Sequence, residues 1–384
     1  MEKNYKRLVW IYEGLWPLVT PLFRWIFRFK PTLIQPLPTP FLLLSNHNMD
    51  FDPILVGCSV RRHMYFVASE HVFRGGLASK VLRYLFDPIS RIKGYTDSSA
   101  ALKALRALKR GHNVCIFAEG SCSFSGRTGK MYSATAKMAK ASSASLVTYR
   151  LEGGYLTNPR WSRTFRRGAM RGSPVNVYAP GQLAEMSEAE LDAAISADLY
   201  EDAFERQRIE RIRFRGKRLA ERLETALFIC PQCKRIGRLH SQNDRFFCEC
   251  GLSVTLDEYG FFQGGPFPTI AEWDDWQAEQ VEQIVATHAQ DAPFFENDVG
   301  TLLEVHTSEH RTKAIADGKI LLYPDRLAIG ETTIPLADIQ SLALVGRNRI
   351  VFTAGATHYE FGAQDGFCGR KYLLFCSHLG CSIG

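Results

Sequence analysis

The chain has 384 residues, of which 46% are hydrophobic and 23% charged, with a formal net charge of +7. That composition excludes a chain too polar to build its own core, and the length predicts two or three folding units. The modest positive charge favours an anionic partner but does not choose among nucleic acid, anionic lipid and phosphorylated metabolites.

The first stretch, Leu8 to Phe29, is about as long as a spanning helix but holds Glu13, Arg24 and Arg28 together with Pro17 and Pro21. Helices broken at the prolines are expected. Trp10, Trp16 and Trp25, with Lys3, Lys6, Arg7, Arg24, Arg28 and Lys30 nearby, predict an interfacial segment over residues 1–38 lying on an anionic membrane surface. The plainer alternative is an amphipathic helix packed on the protein's own core. No small-residue cleavage site follows, and four of the ten cysteines form a tight metal-type group, which suits a reducing compartment. The expected location is the cytoplasmic face of a membrane, as a peripheral or monotopic protein.

After the Pro-rich run PTLIQPLPTP, FLLLSNH predicts a buried strand entering a turn, and Asp52-Pro53 a helix start with Asp52 as N-cap. MYFVAS is a short strand, SSAALKALRALKRG an amphipathic helix closed by Gly111, and NVCIFAEG a second buried strand. MYSATAKMAKASSA reads as a helix and SLVTYRLEGGYL as a strand. Alternating strands and helices predict an α/β core, a layered mixed sheet flanked by helices. Ser187 to Leu227 is charge-rich and helical, Ile229 to Phe262 holds the cysteine group, and Thr269 to Ala289 is a helix or linker. From Gly300 onward seven short β segments precede a closing helix, GFCGRKYLLFCSHLG.

Two loops carry chemistry. In Ser45-Asn46-His47-Asn48-Met49-Asp50-Phe51-Asp52 a histidine at a strand end is followed by carboxylates three and five residues on. A carboxylate can hold one ring nitrogen protonated and leave the other to take a proton from a hydroxyl. The bland alternative is a capping Asp52 and a packed His47. The second loop, Ala118-Glu119-Gly120-Ser121-Cys122-Ser123-Phe124-Ser125-Gly126-Arg127, also follows a buried strand. Its Gly and Ser residues let backbone N–H groups approach a phosphate, with Arg127 or Lys130 supplying charge. Glu119 can orient such an arginine or hold an acceptor hydroxyl. The stretch from Arg160 to Arg171 adds five arginines interleaved with Trp161 and Phe165, suited to anionic headgroups or to pairing with acids elsewhere.

Together, N-H-x-x-x-x-D and, about seventy residues later, F-x-E-G-[ST] resemble the glycerolipid acyltransferases that acylate glycerol-3-phosphate and lysophosphatidic acid. The resemblance spans approximately residues 30–180. It implies that Asp52 orients His47, that His47 is the general base, and that Asn46, Glu119, Gly120 and Ser121 bind substrate. Phe86-Asp87-Pro88-Ile89-Ser90-Arg91 is similar to the family's intermediate block and implies Arg91 as a phosphate contact. The donor implied is an acyl thioester, acyl-CoA or acyl-carrier protein, and the acceptor a lysophospholipid. Two departures bear on the acceptor: Ala118 stands where the family has proline, and Cys122 where it has arginine. Either Arg127 reaches the phosphate instead, or the head group differs. A Val-Pro block expected near Leu146-Val147-Thr148 lacks its proline.

Cys230-Pro231-Gln232-Cys233 and Cys248-Glu249-Cys250-Gly251 are two knuckles around a short insert, a spacing that resembles a zinc ribbon. Four protein thiolates close the coordination sphere, so the expected zinc is structural. The other six cysteines are expected as buried free thiols. The C-terminal strands and helix resemble a pleckstrin-homology or GRAM-like barrel, with Lys313, Lys319, Arg326, Arg347, Arg349, Arg370 and Lys371 as a candidate basic rim. The predicted organisation is 1–38 interfacial helices, 39–226 acyltransferase domain, 227–262 zinc ribbon, and 263–384 linker helix and β-rich domain. The predicted reaction is acyl transfer to 1-acylglycerol-3-phosphate giving phosphatidic acid, or else to another lysophospholipid or a glycolipid. A different class, a zinc-ribbon scaffold on a degenerate core, is the rival. Nucleic acid is not expected, because the ribbon lacks an aromatic-basic stripe.

Overall fold

The computed structural model describes residues 2–33, 36–74, 76–94, 98–132, 134–296, 298–307, 310–363 and 367–383, without the side chains of residues 2, 3 and 78. The Lys3 side chain, Ile34 and Gln35 of the Pro-rich run, and Ser133 and Gly366 near two predicted helix starts lie outside the described residues. The chain divides into two compact units, residues 1–91, 98–160 and 165–216, and residues 92–97, 161–164 and 217–384.

The first unit is built on seven strands: β1 (Phe29–Pro31), β2 (Phe41–Ser45), β3 (Tyr65–Ser69), β4 (Ile89–Arg91), β5 (Val114–Phe117), β6 (Ser145–Glu152) and β7 (Met170–Tyr178). Their spatial order is β1-β7-β6-β2-β5-β3-β4. Strands β6, β2, β5, β3 and β4 run parallel, while β7 opposes β6. The helices are α1 (Glu2–Ile26), α2 (Asp52–Ser59), α3 (Gly76–Phe86), α4 (Ser99–Lys109), α5 (Ala134–Ser142), α6 (Gly154–Thr157), α7 (Pro180–Glu185), α8 (Glu188–Leu199) and α9 (Ala203–Glu210).

The two-residue period of β2 sorts these helices into layers. Phe41 and Leu43 join one core with Tyr12 and Trp16 of α1 and Leu55 and Val56 of α2. Leu42 and Leu44 point the other way and join Ala104 and Leu108 of α4, Ala136 and Ala139 of α5, and Leu191 and Ile195 of α8. A strand covered on both faces reads as a continuous apolar run, which is why FLLLS was legible. Strand β7 was not, because Arg171, Gly172 and Pro174 mask the β pattern.

Helix α1 departs from the expectation of broken helices: it is continuous through Pro17 and Pro21. Both prolines are exposed and four residues apart on the outer face, where a lost backbone bond leaves a carbonyl that water can satisfy. The inner face is pinned. The Tyr12 hydroxyl donates to the Val60 carbonyl at 2.7 Å, and the Trp16 indole donates to the Gly57 carbonyl. A Cβ on Gly57 would lie 2.2 Å from the Trp16 ring, so only glycine lets α1 dock on α2 here. None of the described helices is long and apolar enough to cross a membrane.

The second unit holds two sheets. Strands β8 (Leu239–Gln242), β9 (Arg245–Cys248), β10 (Ser253–Leu256) and β11 (Phe262–Gln263) form a small antiparallel sheet in the order β11-β10-β9-β8. Helix α10 (Ile270–Thr287), N-capped by Thr269, packs on it through Trp273, whose ring lies 5.4 Å from Phe246 and 5.6 Å from Phe262. Strands β12 (Asp298–His306), β13 (Arg311–Leu322), β14 (Arg326–Ile329), β15 (Thr332–Pro335), β16 (Ile339–Val345), β17 (Arg349–Ala354) and β18 (Thr357–Ala363) form the second sheet. It is followed by α11 (Gly369–His378). Of the expected rim residues, Arg349 pairs with Glu360, Arg370 with Asp274 and Lys371 with Asp298, at 2.7, 3.1 and 2.6 Å.

Candidate active site

Parallel neighbours β2 and β5 pair Ser45 with Phe117, so the loops that follow them leave the sheet at the same edge. Open α/β sheets place their ligand sites at such carboxyl ends. The first loop turns on Asp52. It is not the helix N-cap, which is Phe51; it opens α2 with a buried side chain that turns back over the loop. Its Oδ2 accepts the His47 Nδ1–H at 2.9 Å and the backbone N–H groups of Asn48 and Met49 at 2.6 and 2.9 Å. Three donors on one oxygen fix both the carboxylate and the tautomer of His47, leaving Nε2 as the working nitrogen. Asp50, the other carboxylate of the motif, is exposed. Phe117 stacks on the imidazole with ring centroids 4.4 Å apart.

Glu119 sews the two loops together. One carboxylate oxygen accepts the backbone N–H of His47 and the other that of Gly129, both at 2.6 Å. The Ser123 N–H donates to the His47 carbonyl at 3.0 Å, a second stitch. Gly120 takes a positive φ of 68°, and a Cβ there would meet Tyr132 at 2.5 Å and Arg91 Nη1 at 3.0 Å. Arg91, at the end of β4, lies over the Tyr132 ring at 4.7 Å and thereby borders the second loop. Ser121 lies half-buried in the same loop.

Two expected substrate contacts are also bonded within the protein. Asn46 is fully buried and both ends of its amide bond the backbone of Leu151, at 2.8 and 2.7 Å. It ties the first loop to β6. Arg127 donates from Nε to Asp202 at 2.8 Å. Several residues carry the site without having been singled out. The Asn48 amide donates to the Leu151 carbonyl and to Glu201, at 2.9 and 2.8 Å. Glu201 also accepts from the Gly153 N–H at 3.1 Å and Arg206 at 3.3 Å. It lies in a charge-rich stretch that reads as a solvated face, and no local pattern marks it. Arg160 is buried and donates to the Cys122 carbonyl at 3.2 Å, with its guanidinium 4.4 Å over Phe124. The arginine-rich composition pointed to this stretch without singling out that residue.

Electrostatics follow the burial. Burial lifts both Glu119 and Glu201 to about 7, against the backbone and side-chain donors that favour their charged forms. For His47 burial works downward, but the Cys122 sulfur and the Asp52 carboxylate outweigh it and raise the imidazole to about 10. The side chain of His47 is 18% exposed, so a substrate can reach it. Beside the first loop, Phe23, Ile26, Phe27, Phe51 and Phe165 line a cavity of about 390 Å³ whose polar border is Thr157, Arg166, Arg167 and Arg215.

In the second unit the cysteine knuckles converge. Sγ of Cys230 lies 3.6 Å from that of Cys250, Sγ of Cys233 lies 3.7 Å from that of Cys248, and all four sulfurs fall within 4.8 Å of one another. A tetrahedral ion with metal–sulfur bonds of about 2.3 Å sets its ligands about 3.8 Å apart, so the four thiols fit a bound metal ion.

A strand-end histidine with an orienting carboxylate thus faces a Gly/Ser loop, with an aromatic cavity nearby. Residues 28–169 match the model of the family described as Acyltransferase, and that segment contains both loops and Arg91. The similarity to that family thus falls on the segment that builds the histidine site. Among solved structures, the 1-acyl-sn-glycerophosphate (LPA) acyltransferase PlsC from Thermotoga maritima is similar at 19% identity and a TM-score of 0.42. The match covers 49% of this chain and 76% of that one. No curated protein matches the chain.

Proposed function

We propose that this protein moves a fatty acyl group from an acyl thioester to a glycerolipid hydroxyl, with 1-acylglycerol-3-phosphate as the first acceptor to consider. The observation that carries the reading is the His47–Asp52 pair, 2.9 Å apart, set under the second loop inside the segment that matches the acyltransferase family. An alcohol is a weak nucleophile until its proton is managed, and an oriented imidazole typically contributes ~10²- to 10⁴-fold by doing so. Asp52 holds the ring, Glu119 and Asn46 position the loops, and Arg91 beside Gly120 supplies positive charge where an acceptor phosphate would lie. The aromatic cavity beside Phe51 suits an apolar acyl chain, and its arginine border suits the anionic groups of donor or acceptor. The commitment of Arg127 to Asp202 favours a second acceptor, a lysophospholipid or glycolipid whose head group needs fewer cations.

Two supporting roles belong to the same reading. The four thiolates hold a structural zinc, which supplies cross-linking of the small sheet and no chemistry. Helix α1 lies at an anionic membrane surface on the cytoplasmic side: Trp10, Leu18, Leu22 and Trp25 stand 77, 73, 51 and 67% exposed on the face away from the core, with Arg24 and Arg28 beside them. The test offers radiolabelled acyl-CoA and acyl-carrier protein to the wild-type protein with a panel of lysolipids. Transfer to lysophosphatidic acid is expected. Transfer only to other acceptors selects the second acceptor reading, and no transfer to any acceptor contradicts the assignment.

A further inference from the structure

We propose that Cys122 is a catalytic nucleophile that carries the acyl group as a thioester between donor and acceptor, in a Cys122–His47–Asp52 relay. The inference rests on the acyl-transfer reading and specifies its route. The Cys122 sulfur lies 3.4 Å from His47 Nε2 and 3.6 Å from Nδ1, and Nδ1 donates to Asp52 at 2.9 Å. Nucleophile, base and orienting carboxylate are therefore in sequence, the arrangement that activates a thiol. The near-equal sulfur distances put the thiol within reach of the imidazole nitrogens.

The juxtaposition is held from several sides. Ser123 bonds the His47 carbonyl, Arg160 bonds the Cys122 carbonyl, and Glu119 grips the His47 N–H from the strand end before Cys122. Together they fix the residue bearing the sulfur against the residue bearing the imidazole. Of the three cysteines in this unit, Cys58 and Cys115 are buried, and burial pushes both thiols up, Cys58 to about 11. Cys122 alone is partly open to solvent.

The route balances with the groups present. His47 takes the Cys122 proton as the sulfur attacks the donor carbonyl, the carbonyl–sulfur bond of the donor breaks, and the donor thiol leaves with that proton. Neutral His47 then takes the acceptor hydroxyl proton as that oxygen attacks the Cys122 thioester. The new carbonyl–sulfur bond breaks, the ester departs, and His47 returns the proton to the Cys122 sulfur.

The test incubates full-length protein with palmitoyl-CoA or palmitoyl-carrier protein and no acceptor, quenches in acid, and reads intact mass and the modified peptide. The expected result is one acyl group on the peptide holding Cys122, released by neutral hydroxylamine and by added lysolipid, and absent in Cys122→Ala. Turnover in Cys122→Ala should fall about a hundredfold or more, and wild-type initial rates should give parallel double-reciprocal lines. Wild-type transfer with no adduct, or a Cys122→Ala variant at wild-type rate, overturns the covalent route and leaves direct transfer by His47 standing. No adduct and no transfer in the wild type overturns both the route and the acyl-transfer reading.

Discussion

The four-cysteine cluster and the histidine site are both built on turns at strand ends, yet they use the chain very differently. The cluster draws its four groups from Cys230 to Cys250, all of one chemistry, and its sulfurs need only two local turns to meet. The histidine site draws on Asn46 to Asp52, Glu119 to Gly129, Leu151 and Glu201, and exists only because a parallel sheet sets β2 beside β5 and β6. A local site is stabilised by whatever binds it; a distributed site is stabilised by the fold around it. Removing one group should therefore unfold the first locally and leave the second folded but inactive.

The largest expected effect falls on the cluster. Zinc binding supplies roughly 10–16 kcal/mol in small zinc-finger peptides. Cys230→Ser should therefore release the metal and expose the amides of β8 to β10 to hydrogen exchange, while the exchange of β2 and β5 stays slow. Equal metal content in wild type and variant, by elemental analysis, would remove the metal from the account.

At the histidine site the strongest structural link is Glu119, whose two oxygens each accept a backbone N–H. Glu119→Gln keeps one acceptor and turns an N–H₂ group toward the other donor, a loss of about 1.5–3 kcal/mol. Urea denaturation should show it as a lower midpoint with an unchanged slope. The pH dependence carries a sign. Because burial raises Glu119 from 4.5 to about 7, the folded state holds its proton more tightly than the unfolded state does. Its contribution is full below 4.5 and is lost as pH rises through about 7. Wild type should lose stability between those two values, and Glu119→Gln should lose less, with the buried Glu201 accounting for the remainder. A variant that loses as much as wild type would show that Glu119 is not the titrating group.

The smallest effect is expected on α1. Trp10→Ala with Trp25→Ala should weaken sedimentation with anionic vesicles several-fold, because both rings face outward and neither supports the core. Unchanged binding would return α1 to a purely structural role.

The same contrast explains what could be read from the chain alone. Buried strands such as FLLLS and NVCIF and the C-terminal β segments announce themselves through apolar runs or alternation, and Cys-x-x-Cys with Cys-x-Cys announces itself through spacing. His47, Asp52 and Glu119 were visible because strand-end loops concentrate them. Glu201 and Arg160 were not, because a buried charge whose partners lie far off in the chain looks like a surface charge in sequence. The roles of Asn46 and Arg127 turned on partners, Leu151 and Asp202, that only the folded sheet supplies. The continuity of α1 was masked by prolines whose cost depends on which face they occupy.

The most direct measurement is acyl transfer from a labelled acyl thioester to lysolipid by wild type and His47→Ala, each first shown to be folded by its urea transition. The account predicts a fall of ~10²- to 10⁴-fold in the variant with the fold intact. Turnover by His47→Ala at the wild-type rate would contradict it, and would leave the chain as a scaffold built around a histidine that does no chemistry.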